Sequence, residues 1–175
     1  MLSDSTNELA DLVRRTLEKI AAIDRTPAQD TVAQWTYSIK KEFAMLGLEL
    51  GHRVCACGSG LPEVEPEWLF DMVWYRYNDP KEKILAALPF AMESEWHLSM
   101  DCIREDFEKL LVCKADLCLM ICGAWKPQFE RVLEYFDVSV KKFGHGPPGS
   151  LILVALYSYD REEFEYHRFI RPTWR

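Results

Sequence analysis

Asp71, Glu93 and Glu95 are carboxylates set inside apolar, aromatic-rich stretches, where a charged side chain is costly unless it has a partner or a function. Asp71 lies at the centre of the run Glu67-Trp68-Leu69-Phe70-Asp71-Met72-Val73-Trp74-Tyr75-Arg76. Glu93-Ser94-Glu95 closes a second run that starts at Ile84. Side chains alternate along a strand, so Glu93 and Glu95 share a face if this second run is extended. Paired strands lie about 4.8 Å apart, so Asp71 can join the two glutamates if the runs are neighbours. Three converging carboxylates repel one another unless a cation or a proton intervenes. Oxygen-only ligands outline a hard-metal site.

The elements that must position these acids follow from periodicity. Residues 5–23 carry an apolar stripe of Leu9, Leu12, Val13, Leu17 and Ile20, with Ser5 and Glu8 as a capping box, and Thr26-Pro27 ends it. A second helix starts near Asp30 as N-cap and repeats Val32, Trp35, Ile39, Phe43 and Leu46, with Lys40, Lys41 and Glu42 beside them. A short strand over residues 53–57 and a Gly-rich loop precede the two acidic runs. The linker Tyr77-Asn78-Asp79-Pro80-Lys81-Glu82-Lys83 is polar and turn-forming, which makes the acidic runs an antiparallel hairpin.

From Ser99 the period becomes helical, with Ile103, Phe107, Leu110 and Leu111 inward. Residues 116–122 are a continuous apolar run, as in a strand buried on both faces. Another helix opens at Lys126-Pro127 and turns Phe129, Val132, Leu133, Phe136 and Val140 to the core. Two strands follow, residues 150–158 and an edge strand at 164–170. The order β-β-β-α-β-α-β-β, preceded by helices, predicts an α/β domain around a mixed sheet flanked by helices. A single domain spans 1–175, with an N-terminal helix over 1–28 and the core over 30–175.

Asp71 on one strand, Glu93-Ser94-Glu95 on the next, then the helix Ile103 to Leu111 and the strand Leu117 to Ile121, resemble the PD-(D/E)xK nuclease superfamily, the restriction-endonuclease-like fold. The resemblance covers roughly residues 30 to 125. It implies a metal-dependent nuclease that hydrolyses phosphodiester bonds, acting on DNA. Asp71 and Glu93 would hold the cation, the main-chain carbonyl of Ser94 would complete its shell, and Glu42 on the preceding helix is the match for a further acid. The family places a lysine two residues after the second acid, and here that position is Glu95. Either Glu95 or Lys109, from the following helix, would orient or deprotonate the attacking water. Lys109 and Glu42 also read as solvated helix residues. The departure at Glu95 equally fits a retired nuclease fold, an acidic protein that binds a protein partner instead of nucleic acid.

Composition sets the remaining bounds. A content of 49% hydrophobic and 13% aromatic residues predicts a packed core rather than a disordered chain. No apolar run approaches the roughly 20 residues of a membrane span. The opening residues lack a secretory pattern, so the expected location is the cytoplasm. The formal charge of −7 opposes broad adhesion to nucleic acid or anionic lipid but leaves room for a locally basic groove. Six cysteines read as buried thiols, with His52-Arg53-Val54-Cys55-Ala56-Cys57 the one clustered set that could suggest zinc. Trp68, Trp74 and Tyr75 read either as core residues or as surfaces on which bases stack. Trp96 and His97, directly after the acids, read as packing residues or as substrate contacts.

Overall fold

The structure is a computed structural model that describes residues 4–22, 31–79, 81–146 and 149–172. The proposed break at Thr26-Pro27 and the proposed cap at Asp30 lie outside these residues. The first helix, α1, covers Asp4–Ala22. The second, α2, covers Val32–Glu49 and is capped by Thr31, whose hydroxyl accepts from the Gln34 amide while the Gln34 side chain accepts from the Thr31 amide. Two orphan donors of the first turn are thereby satisfied.

Six strands follow: β1 (Arg53–Ala56), β2 (Met72–Tyr77), β3 (Leu85–Glu95), β4 (Leu117–Ala124), β5 (Leu151–Ser158) and β6 (Glu163–Ile170). Between β3 and β4 lies α3 (Met100–Val112), and between β4 and β5 lies α4 (Lys126–Lys142). The sheet order is β1-β2-β3-β4-β5-β6. β1, β2 and β3 form an antiparallel meander, β3, β4 and β5 are parallel, and β6 returns antiparallel to β5. Among the described residues this is an α/β architecture with an open mixed sheet and four helices, as the alternation of periods predicts.

Strand alternation divides the core into two layers. On one face Met72, Trp74, Phe90, Met92, Leu119 and Leu153 pack under Val13 and Leu17 of α1 and Trp35, Ile39 and Phe43 of α2. On the other, Val73, Tyr75, Ala91, Met120 and Val154 pack under Ile103 and Phe107 of α3 and Val132 and Phe136 of α4. β4 and β5 are buried along their whole length, which is why their sequences are apolar without alternation. At Gly47 of α2 the helix comes so close to the sheet that an added Cβ would meet the Trp74 ring at 2.6 Å.

One expectation needs correction. Asp71 does not stand mid-strand: β2 begins at Met72, and the chain ahead of it turns at Leu69, which adopts a left-handed φ of 67° and is 71% exposed. The apolar residues Trp68 and Leu69 imitate a strand in sequence, but no neighbouring strand pairs with them there. The β2–β3 hairpin forms as expected, with Asn78 and Asp79 side chains accepting from the backbone of their own turn, and its pairing carries a register shift around Arg76.

Candidate active site at the end of β2 and β3

β2 and β3 run antiparallel with Met72 opposite Met92, so the residue one step ahead of β2, Asp71, falls opposite Glu93. The two acids are thus brought together at one end of the sheet by hairpin register. Ser94 lies between their environments. Its amide and its hydroxyl both donate to Asp71 Oδ2, at 2.8 and 2.9 Å. The other Asp71 oxygen accepts from Lys40 Nζ of α2 at 2.8 Å.

Glu93 points to the α3 side. It is 3% exposed, and no hydrogen bond of ordinary length reaches its Oε1. The nearest cation, Lys109 Nζ of α3, stands 3.5 Å from that oxygen, an ion-pair distance, and is anchored by Asp106 at 2.6 Å. Burial, and then the negative charges of Asp71 and Asp106, push the Glu93 carboxyl up to about 8 against the opposing pull of Lys109. At neutral pH Glu93 therefore holds its proton in most molecules. Burial alone would lower the Lys109 ammonium, but the bond to Asp106 and the charge of Glu93 outweigh it and raise it.

Lys40 is itself 8% exposed. Burial works against its charge, yet the Asp71 hydrogen bond and the charges of Asp71 and Glu67 leave its ammonium above its ordinary value. Glu67 Oε2 is the second carboxylate near it, at 3.6 Å. The loop that carries Glu67 and Asp71 is tied down at Glu65, whose backbone pairs with Val54 and Ala56 of β1 and whose carboxylate accepts from Tyr75 and Arg53. β1 thus fixes the loop that presents the acids.

The other expected site residues fall as follows. Glu95 keeps the face of Glu93 but sits at the strand end, where its carboxylate accepts from the His97 amide at 2.6 Å. Glu42 is not brought to the site. It lies two residues beyond Lys40, about 200° around the helix, and its carboxylate is 4.0 Å from Lys19 Nζ of α1. The α2 residue that faces Asp71 is Lys40. Among the described residues no three His, Cys, Asp or Glu side chains converge as a metal set.

Of the aromatics considered for base stacking, Trp74 and Tyr75 are buried and Trp68 is 41% exposed. Trp96 is a core residue, edge-on to Trp35 and Tyr157. Cys118 and Cys122 lie buried in β4, whereas Cys57, beside the loop, is exposed.

Lys40 and Asp106 carry visible signals that the spacing of the acids alone does not expose. Lys40 stands three, four and seven residues before Phe43, Ala44 and Gly47, on the buried stripe of α2, where a lysine needs a counter-ion. Asp106 is three residues ahead of Lys109, the spacing of neighbours on one helix face.

The oxygen donors of Asp71 and Glu93 are hard ligands, but each already faces an ammonium, Lys40 at 2.8 Å from Asp71 and Lys109 at 3.5 Å from Glu93. No protein-family model, curated protein or solved structure matches the chain.

Proposed function

We propose that the chain is a divalent-cation-dependent nuclease of the restriction-endonuclease-like type, hydrolysing phosphodiester bonds of DNA. The observation that carries this reading is the reach of Lys109 from α3 to Glu93, beside Asp71. It supplies from the following helix the cation that the strand position of Glu95 lacks. The succession of α2, the strand headed by Asp71, the strand ending in Glu93 and Glu95, then α3 and β4 supports the same fold reading.

Asp71 and Glu93 would hold Mg2+ or Mn2+, with the Ser94 carbonyl as a further oxygen donor. The bound cation supplies Lewis-acid polarisation of the phosphate and a water of lowered pKa. The chain's own groups do the rest. Glu93 would hold the cation only as the ionised carboxylate, since a ligating carboxylate must be deprotonated. Lys109, held by Asp106, would stabilise the negative charge that develops and orient the water by hydrogen bonding. Lys109 is better placed for this than Glu95, whose carboxylate is engaged with the His97 amide.

The test is calorimetric titration of Mg2+ and Mn2+ into the wild type and into Asp71→Ala/Glu93→Ala, followed by DNA cleavage assays. Binding and cleavage present in the wild type and lost in the double variant are expected. A folded wild type that binds neither ion overturns the reading.

A second reading is favoured by the engagement of both Asp71 oxygens, which accept two hydrogen bonds from Ser94 and one from Lys40. Such an acid can serve structure alone. The chain would then be a noncatalytic acidic protein, with a net charge of −7, that binds a protein partner.

A further inference from the structure

The connection from α3 to β4 sets two thiols beside a buried guanidinium. Cys113 is the first residue past α3 and Cys118 the second of β4, and both are buried. Their side chains are hydrogen-bonded to each other, and Cys118 Sγ also lies 3.8 Å from the Leu110 carbonyl oxygen. Arg171, itself buried, donates to that same carbonyl at 2.6 Å and to the Cys113 carbonyl at 3.2 Å. Gly146 packs so close to the guanidinium that an added Cβ would collide with it, which holds Arg171 at the end of α3.

A buried guanidinium keeps its charge, and burying it without an anion is costly. Among the described residues Arg171 enters no ion pair, and its Nε has no hydrogen-bond partner. The two sulfurs can supply the anion, and the charge of Arg171 acts on both. The hydrogen bond from Cys118, aided by Arg171, holds the Cys113 thiol below its ordinary value despite burial. The same bond, and then burial, push the Cys118 thiol well up. Cys113 is thus the thiol that ionises and attacks, and Cys118 the one that keeps its proton. Cys113 also lines an open cavity of about 360 Å3 whose walls include Lys109 and Lys114. A small anionic reagent can approach it there while Cys118 stays enclosed.

We propose that Cys113 and Cys118 are a redox-active dithiol, which a small anionic disulfide of the glutathione type oxidises to an intramolecular disulfide. The Cys113 thiolate attacks one sulfur of oxidised glutathione, whose S–S bond breaks and releases one glutathione thiolate, which takes up the proton that Cys113 gave up. The Cys118 sulfur then attacks Cys113 Sγ in the mixed disulfide, and the second glutathione leaves with the Cys118 proton. Two protein thiols lose two electrons and two protons, and one oxidised glutathione becomes two thiols. The reaction uses neither Asp71 nor Glu93, so it holds or fails independently of the nuclease reading.

The reduced wild-type chain, shown to be folded by circular dichroism, is incubated with oxidised glutathione, quenched in acid and mapped by tryptic peptide mass spectrometry. Cleavage at Lys114 separates the two cysteines, so the expected product is a pair of peptides joined between Cys113 and Cys118 and lacking two hydrogens. Fragmentation distinguishes Cys118 from Cys122 on the second peptide. Exposed Cys57 can take up glutathione on its own, which leaves the map of the joined peptides unchanged. Cys118→Ser should retain glutathione on Cys113 as a lasting mixed disulfide, and Cys113→Ser should lose the bridge altogether. Both cysteines still reduced in the folded wild type, or glutathione left on Cys113 beside a free Cys118, overturns the proposal. So does a bridge that forms only in urea. Should the variants fail to fold, the wild-type map decides by the same outcomes.

Discussion

A glutamate that is 3% exposed with an oxygen lacking a hydrogen bond is destabilising as an anion, and Glu93 responds by holding its proton. The consequence for stability has a definite sign. The folded chain keeps the proton up to about pH 8, whereas the unfolded chain releases it near 4.5. Between those values the folded state binds more protons than the unfolded one, so this group makes stability fall as pH rises. Glu93→Gln should flatten the decline in Tm between pH 5 and 8 relative to the wild type, where each kcal/mol lost lowers Tm by about 2–4 °C for a chain of this size. Thermal melts of both proteins across that range check it, and parallel slopes would contradict it. Lys109→Met should reduce DNA cleavage by about 10²-fold or more, the range expected for a positioned proton-transfer or charge-stabilising group, with Mn2+ affinity nearly unchanged. A matching loss of affinity would make Lys109 a support for the metal acids alone. At this scale the adjacency of the two acidic runs was legible because a short polar turn joins them, whereas the register that sets Asp71 opposite Glu93 is given by the folded hairpin. The partnership of Lys40 with Asp71 spans 31 positions and depends on how α2 is rotated on the sheet. The lysine's place on the apolar stripe of its helix was the one local clue.

α2 is the element on which the site's geometry depends most. Its rotation is set by Trp35, Ile39 and Phe43 entering the core, and its height above the sheet by Gly47 against Trp74. The Trp74 ring is fully buried and packed on Phe90 with centroids 4.3 Å apart, so it has little room to retreat. Gly47→Ala should therefore destabilise the fold by about 1–3 kcal/mol, the usual cost of overpacking, as read by urea denaturation. A neutral or stabilising result would mean that α2 can lift from β2. Thr31→Ala, which removes the cap of α2, should cost about 1 kcal/mol by the same measurement. Long elements were readable from periodicity: α3, α4, β4 and β5 fall within a residue or two of where the apolar pattern places them. The approach to β2 was not, since Trp68-Leu69-Phe70 has strand-like composition while Leu69 turns left-handed and faces solvent. Composition reports which residues suit a pleated surface, and pairing partners decide whether one forms.

Across the whole molecule, the sheet brings two helical layers to a common end. α2 delivers Lys40 to Asp71 from one side, and α3 delivers Lys109 to Glu93 from the other. Lys40 there faces Asp71 and Glu67, and Lys109 faces Glu93 and Asp106, in a protein whose overall charge is −7. The net charge hides this local arrangement. It also means that a nucleic-acid substrate would be attracted by local cations, bound metal included, and not by the protein as a whole, so DNA binding should depend strictly on the divalent ion. The α/β class and the strand order of events along the chain followed from alternating periods, whereas the meeting of the two layers at one sheet end is a property of the assembled core. The most direct test of the account is calorimetric titration of Mn2+ into the wild type and Asp71→Ala/Glu93→Ala, both shown to be folded by thermal melting. The account predicts saturable binding by the wild type that disappears in the double variant. Equal binding by the two proteins, or none by the wild type, would contradict it.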